Sequence, residues 1–161
     1  MTIFKFSKDS NVANWKVIDD VVMGGRSDGR FTVNKDGYGT FSGTVSLENN
    51  GGFSSLRYNF KPIETSMYSR FVIRLKGDGK SYQFRVKDKR YNRYSYVYKF
   101  ETTSDWQTIE IPFHEMSAAF RGNKVDIPNF EGKEMEEIAF LIGNKKAGSF
   151  KLLIDSIELK K

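Results

Sequence analysis

The segment that decides the fold lies at residues 70–87 and reads RFVIRLKGDGKSYQFRVK. Apolar side chains stand at every second position on both sides of a central turn: Phe71, Ile73 and Leu75 before it, and Tyr82, Phe84 and Val86 after it. Alternation with a period of two places one face of a strand in a core and the other in water. Gly77-Asp78-Gly79 supplies turn residues between the two runs, because glycine tolerates the positive φ of tight turns. The segment therefore predicts two strands joined as a β-hairpin.

The same alternation recurs along the rest of the chain, at residues 38–47, 94–100, 107–111, 138–142 and 150–159. In the last run the apolar parity shifts between Ile154 and Ile157, and a slip of one residue turns a strand over. This shift predicts a bulge or a bend near Asp155-Ser156. Helix is scarce, with single turns expected at His114 to Ala119 and at Glu134 to Glu137, neither long enough to be stable alone.

About ten short strands with so little helix indicate an all-β protein, an antiparallel β-sandwich of two packed sheets. The chain has 161 residues without a linker, an internal repeat or a low-complexity stretch, so a single domain spanning residues 1–161 is expected. Aromatic residues make up 15% of the chain and suit a pleated, half-buried surface, which agrees with the sandwich.

The composition limits the chemistry open to this protein. It contains no cysteine, which excludes disulfides, thiolate metal sites and cysteine nucleophiles. A formal net charge of +6 favours acidic partners through long-range attraction. The N-terminal residues lack the apolar run of a signal peptide, and no window approaches the length of a membrane span. They also carry Asp9 early and no arginine before Arg26, which is unlike a transit peptide. We therefore expect a cytoplasmic location and no membrane insertion.

Two blocks of glycines and charged residues carry a resemblance to a known family. The first is WKVIDDVVMGGRS at residues 15–27, and the second is ENNGGFSSLR at residues 48–57, preceded by Phe41-Ser42-Gly43. Shorter matches continue in order, at Gly77-Asp78-Gly79 with Tyr82, at Trp106 with Ile111-Pro112-Phe113, at Arg121-Gly122 and at residues 148–157. Over nearly its whole length the chain resembles the complex I intermediate-associated protein 30 family.

This resemblance implies a galactose-binding-like jelly roll, in agreement with the sandwich argued from the alternation. It also implies a part in the assembly of respiratory complex I. The partners would then be proteins, either complex I subunits or assembly intermediates. No cofactor is implied.

Two loops contain the first candidate binding residues. Gly24-Gly25 can bring backbone N–H groups towards an anion beside Asp20, and the guanidinium of Arg26 suits a carboxylate or a phosphate. Alternatively, Arg26 pairs with Asp19 or Asp20 and only locks the loop. In the second loop the amide of Asn50 suits the hydroxyl groups of a sugar, although a plain turn also explains an asparagine beside glycines.

A stretch of basic residues interleaved with tyrosines follows at residues 85–98. Such a mixture is typical of platforms for single-stranded nucleic acid. Asp88 interrupts it, however, and the tyrosines at even positions fit one sheet face, so nucleic acid is not expected. Arginine and tyrosine are enriched at protein interfaces. The candidate partner- or ligand-binding residues, on a loop edge or a sheet face, are Asp20, Arg26, Asn50, Arg57, Arg85, Tyr98 and Arg121.

The sequence offers little for catalysis or metal binding. His114 is the only histidine, and no Gly-x-Ser-x-Gly elbow surrounds a serine, so no catalytic residue is assigned. Calcium would need Asp19, Asp20, Asp155 and Glu158 to meet in space, and no DxDxDG-like loop is present. No metal site is therefore assigned.

These observations favour a non-enzymatic binding or assembly module that contacts protein partners through a loop edge or a sheet face. The alternative is a jelly-roll module that binds carbohydrate or another small ligand. Such a ligand would raise the thermal stability of the module. An enzyme of unassigned chemistry is the third hypothesis.

Overall fold

The computed structural model describes residues 1–19, 27–48, 52–143 and 146–161. Within these ranges the chain forms β1 (Thr2–Lys5), β2 (Trp15–Asp19), β3 (Asp28–Val33), β4 (Gly39–Val45), β5 (Ser54–Glu64), β6 (Arg70–Lys76), β7 (Ser81–Lys87), β8 (Ser95–Glu101), β9 (Trp106–Pro112), β10 (Ser117–Phe120), β11 (Asn123–Lys124), β12 (Glu134–Ile142) and β13 (Gly148–Lys160). A 3-10 turn at Phe113–Glu115 lies between β9 and β10. None of the helical structure in the described ranges has the length and apolar character that a bilayer-crossing helix needs.

The strands form two sheets in which the strand pairs are antiparallel. The six-stranded sheet has the order β3-β4-β13-β6-β9, and β1 also pairs with β13. The seven-stranded sheet has the order β11-β10-β8-β7-β12-β5-β2. The predicted antiparallel β-sandwich is thereby confirmed. The strands outnumber the ten or so expected because short strands such as β1 and β11 show no sustained alternation.

The connection between β6 and β7 differs from the prediction. β6 pairs with β9 and β13, whereas β7 pairs with β8 and β12, so the predicted hairpin is wrong. The turn at Gly77-Asp78-Gly79 carries the chain from one sheet to the other. The two strands face each other across the core, and the ring centroids of Phe71 and Phe84 lie 4.8 Å apart. Alternation reveals which face of a strand is buried and leaves open which strand lies beside it.

The two expected helical turns also differ from the structure. Helix is confined to Phe113–Glu115 in the first region, and the chain is extended again in β10. In the second region Glu134 to Glu137 belongs to β12, where Met135 is fully buried. Pairing with β5 and β7 satisfies backbone groups that an isolated helical turn would leave to water.

The bulge predicted near Asp155-Ser156 is confirmed. The register between β13 and β6 shifts between Ile154 and Ser156. The extra residue, Asp155, is only 6% exposed. Its carboxylate accepts hydrogen bonds from Lys5 Nζ at 2.6 Å and from Arg74 Nη1 at 3.0 Å. One carboxylate at the bulge therefore ties both β1 and β6 to β13.

The buried hydroxyl of Tyr82 makes the fold less stable at alkaline pH. This residue is 1% exposed and donates a hydrogen bond of 3.0 Å to Asp78 Oδ1. Burial, followed by the neighbouring Asp78 carboxylate, raises the pKa of Tyr82 far above that of a free tyrosine. In the unfolded chain tyrosine ionises near pH 10. Above that pH the unfolded state holds fewer protons than the folded state, so the free energy of unfolding falls.

We expect Tyr82→Phe to lower the free energy of unfolding by about 1 kcal/mol at neutral pH, because the hydrogen bond to Asp78 is lost. Above pH 10 the difference between wild type and variant should shrink by about 1.4 kcal/mol per pH unit. Urea unfolding at a series of pH values measures both. Tyr91→Phe, at a tyrosine that is 80% exposed, is the control and should follow wild type. A difference in unfolding free energy between wild type and Tyr82→Phe that stays constant with pH would contradict the raised pKa of Tyr82.

Candidate functional site

The outer face of the seven-stranded sheet, which points away from the core, carries a cluster of long polar side chains. Opposite residues of an antiparallel pair project to the same face. Ala139 in β12 lies opposite Arg57 in β5 and Arg85 in β7. One pair further along, Glu137 lies opposite Asn59 in β5 and Lys87 in β7. We call these five polar residues around Ala139 the arginine patch: Arg57, Asn59, Arg85, Lys87 and Glu137.

The direction of these side chains follows from their neighbours in the strands. Leu56, Phe84 and Ile138 are fully buried between the sheets, and successive residues of a strand point to opposite sides. The patch is therefore on the side of the sheet that the second sheet does not cover. Because neighbouring strands lie about 4.8 Å apart, the two arginine backbones are about 10 Å apart across β12.

The patch is recessed although it lies on an outer face. Ala139 is 4% exposed and Glu137 is 8% exposed. Arg57, Arg85 and Lys87 are each half-buried, as expected where long side chains lie along the surface of a sheet. These charged groups are therefore partly shielded from water.

The hydrogen bonds of the patch use neutral acceptors. Arg85 donates from Nε and Nη2 to Gln83 Oε1, at 3.0 and 2.7 Å. Lys87 Nζ donates to the backbone carbonyl oxygen of Asn92 at 2.8 Å. Arg57 makes no hydrogen bond or ion pair with any described residue, and the buried Oδ1 of Asn59 likewise has no donor there. Arg57 can therefore take a ligand without breaking an existing contact.

The electrostatics of the patch reflect crowded positive charge. Burial, and after it the charge of Arg57, lowers the pKa of Arg85. Burial also lowers the pKa of Lys87; the charge of Glu137 opposes this shift, while Arg57 and Arg85 add to it. Such shifts arise where cations lose water and are not fully neutralised. Chemically, guanidinium groups in this state suit carboxylate or phosphate oxygens, which they bind in a two-pronged geometry.

The structure places the sequence-predicted site residues in different parts of the fold. It brings Arg57 and Arg85 together, as described. Tyr98 lies opposite the buried Phe84, so its side chain packs towards the core and not with the arginines. Arg121 is exposed at the β10–β11 turn, with its guanidinium over the ring of Phe120 at 5.3 Å, near the opposite edge of the sheet from Arg57. The other three predicted residues, Asp20, Arg26 and Asn50, lie outside the described residues.

The site residues predicted from the sequence left out Lys87 and three further residues of the patch environment: Asn59, Glu137 and Ala139. Glu137 belongs to a run of acids that is typical of a solvated surface, and Ala139 carries no chemistry of its own. Their importance follows from the register of β12 between β5 and β7. The available signal was the alternation of 138–142, which turns residues 137 and 139 outward.

The acids considered for calcium have other partners. Asp19 accepts hydrogen bonds from the Ser54 hydroxyl and from the backbone N–H of Gly29, and Asp155 is paired with Lys5 and Arg74. In the described part of the chain no three acidic or histidine side chains gather as metal ligands would. 

Comparison with known proteins identifies the family of this chain. The family model described as complex I intermediate-associated protein 30 (CIA30) matches residues 4–154. An uncharacterised protein of Schizosaccharomyces pombe is 26% identical over 180 residues, which cover 98% of this chain and 82% of that protein. Complex I intermediate-associated protein 30, mitochondrial, of Mus musculus is 24% identical over 181 residues, 96% of this chain. The match covers 54% of the mouse protein, so the chain spans about half of its length.

Solved structures support the fold. The family 11 carbohydrate-binding module of a Clostridium thermocellum cellulosomal cellulase aligns with a TM-score of 0.71 and 21% identity, over 98% of this chain and 93% of that chain. The Clostridium thermocellum module in complex with a β-1,3-1,4-mixed-linked tetrasaccharide aligns with a TM-score of 0.69 and 22% identity, over 97% and 94%. The galactose-binding-like jelly roll implied by the resemblance is confirmed. At these identities the likeness concerns the fold alone.

The expected cytoplasmic location is wrong. The relative from Mus musculus is a mitochondrial protein. The expectation rested on N-terminal residues that resemble neither a secretory signal nor a transit peptide, and on the absence of a membrane span. Such signals are recognised by composition, and their absence does not identify a compartment.

Proposed function

This chain belongs to the complex I intermediate-associated protein 30 family, and on that premise we propose that it binds an assembly intermediate of respiratory complex I. The surface assigned to this binding is the arginine patch. The module works without catalysis and holds a protein partner while other subunits join. A mitochondrial location, as in the mouse relative, belongs to the same proposal.

One observation carries the choice of surface. Arg57 and Arg85 stand on the same recessed face, and neither forms an ion pair with a carboxylate among the described residues. Holding two partly desolvated cations side by side costs stability, and such costs are usual at functional sites. Arginine is also the charged residue most enriched in the centre of protein interfaces.

The absence of catalysis is supported by the surroundings of the groups that could perform it. His114 is exposed, and its backbone carbonyl accepts a hydrogen bond from Asn129 Nδ2 at 2.7 Å. Within the described ranges the imidazole of His114 forms no hydrogen-bonded pair with a nucleophilic side chain. General acid–base catalysis needs such a pair within hydrogen-bond reach.

A carbohydrate is the second candidate ligand. The two structural relatives are named as carbohydrate-binding modules, and the patch contains the amide side chain of Asn59. The strand positions of the outer face argue against it. The described apolar residues there include Ile18, Val97 and Leu141 but no aromatic ring, and small-ligand sites commonly rely on aromatic contacts. Thermal stabilisation by a glycan would favour this candidate.

The test is co-purification with a variant that fills the patch without changing its charge. Ala139→Gln places a longer side chain between Arg57 and Arg85, and Ala119→Gln makes the same change in β10, at the other edge of the sheet. We expect tagged wild type and Ala119→Gln to retain complex I subunits from the source organism, quantified by mass spectrometry. Ala139→Gln should lose about tenfold or more of them, as expected when a central interface position is blocked.

The thermal melt of each variant shows whether it is folded, and Ala139 faces outward, so the sandwich should persist. Complex I subunits retained by Ala139→Gln would remove the patch from the proposal. A folded wild type that retains none of them would remove the assembly function.

A further inference from the structure

We propose that Arg57 and Arg85 form a two-pronged site for carboxylate groups, which would be supplied by an acidic polypeptide segment of the partner. This inference rests on the proposed function and names the chemistry of the partner. The two arginines lie on either side of Ala139, in strands that both pair with β12. Between these two residues β12 contributes only the methyl side chain of Ala139.

The pairing of the other arginines sets these two apart. Arg30, Arg70, Arg74 and Arg90 each form an ion pair with an acidic side chain. Two further arginines, Arg93 and Arg121, are exposed to water. Of the arginines in the described ranges, Arg57 and Arg85 are the ones that are half-buried without an acidic partner. A cation in that state gains most from an anion brought by a ligand, because much of its hydration is already lost.

The carboxylate of Glu137 does not supply that anion. It stands one pair along β12, directly opposite Lys87, and the Coulomb interaction that it makes acts on that lysine. Three cations thus face one carboxylate in the patch, and the excess positive charge lies at the arginine pair. The net charge of +6 adds a long-range attraction for acidic segments.

The geometry also decides what the site can hold. Gln83 already orients Arg85 through two of its donors, which keeps the guanidinium plane fixed while other N–H groups stay available. Arg57, without any such bond, can turn to meet a ligand. One fixed fork and one adjustable fork, carried by backbones about 10 Å apart, can each take a carboxylate of an extended acidic segment.

The experiment measures binding of a fluorescent octaglutamate peptide by anisotropy, with octaglutamine as the uncharged control peptide. The double variant R57Q/R85Q removes the two charges of the site. R30Q/K35Q removes two charges from the exposed β3–β4 region of the other sheet. We expect wild type and R30Q/K35Q to bind octaglutamate alike, and R57Q/R85Q to bind about tenfold or more weakly. Binding should weaken as salt is added, and octaglutamine should not bind.

Thermal melts of the same variants provide a second measurement. Removing two like charges that repel each other should leave the melting temperature of R57Q/R85Q unchanged or higher. A marked drop would mean that the arginines hold the fold, and it would overturn the site. An equal loss of octaglutamate binding in both double variants would also overturn it, because the attraction would then come from net charge alone.

Inorganic phosphate, titrated as a competitor, tests the chemistry of the ligand. Displacement of octaglutamate by millimolar phosphate would mean that the site binds a small oxyanion and not an acidic segment.

The experiments distinguish a failure of the assembly function from a failure of the carboxylate site. Octaglutamate binding that needs both arginines, without retained complex I subunits, keeps the site and rejects the assembly role. If complex I subunits are retained but octaglutamate does not bind, the assembly role is kept and the carboxylate site is rejected.

Discussion

Phe84→Ala is expected to lower the free energy of unfolding by about 3–5 kcal/mol, among the largest losses that a single core truncation produces. Phe84 is fully buried in β7. Its ring centroid lies 4.8 Å from that of Phe71 in the opposite sheet and 5.2 Å from that of Phe140 in the neighbouring strand. Truncation removes a contact between the sheets and one within a sheet, and the rigid strands around it cannot close the cavity.

Urea unfolding followed by tryptophan fluorescence measures this loss. Val97→Ala is the matched control, since Val97 is half-buried on the outer face of β8 and has no second sheet above it. The control should cost less than about 1 kcal/mol. Similar losses for the two variants would contradict a core centred on the aromatic contact between the sheets.

Gly43→Ala is expected to cost about 3 kcal/mol or more, through backbone overlap instead of a cavity. Gly43 lies in β4 opposite Gly29 in β3, with a φ of 157° that side chains rarely adopt. A Cβ at this position would overlap the backbone carbonyl oxygen of Asp28. Because a strand backbone cannot rotate away as the end of a side chain can, β3 would have to separate from β4.

Gly79→Ala provides a comparison in which no atom is overlapped and the cost is conformational alone. Gly79 has a φ of 86°, and a Cβ added there would meet no atom within 4 Å. This variant should therefore lose only the left-handed backbone penalty of about 1–2 kcal/mol. Amide hydrogen exchange at Asp28–Val33 should accelerate in Gly43→Ala alone. Equal losses of stability and unchanged exchange would show that β3 adapts without separating.

The arginine patch illustrates how function and stability separate in this fold. Asp155 forms ion pairs with Lys5 and Arg74, which join neighbouring strands and balance the opposite charges. Arg57 and Arg85 form no such ion pairs, although their strands are as central as β6 and β13. A substitution at Asp155 is therefore expected to act through folding, whereas substitutions at the two arginines should act through binding.

The strand content and the bulge in β13 could be predicted because both follow from local rules. Alternation of apolar residues fixes which side of a strand is buried, and the parity change after Ile154 requires one extra residue. The prediction of a hairpin was wrong because it concerned the pairing of strands. The apolar faces of β6 and β7 are buried equally well in one sheet or in two facing sheets, and only the packing of all strands selects one of these arrangements.

The candidate site divides in the same way. The sequence by itself determined an antiparallel sandwich, its family and a surface rich in arginine, because residue periodicity and motif order are properties of the chain. Only the tertiary structure decided that Arg57 and Arg85 meet across Ala139, that Glu137 faces Lys87, and that Tyr98 turns to the core. The reason is physical: the register of β12 between two strands distant in sequence is set by the burial of its other face, and no local pattern records that choice.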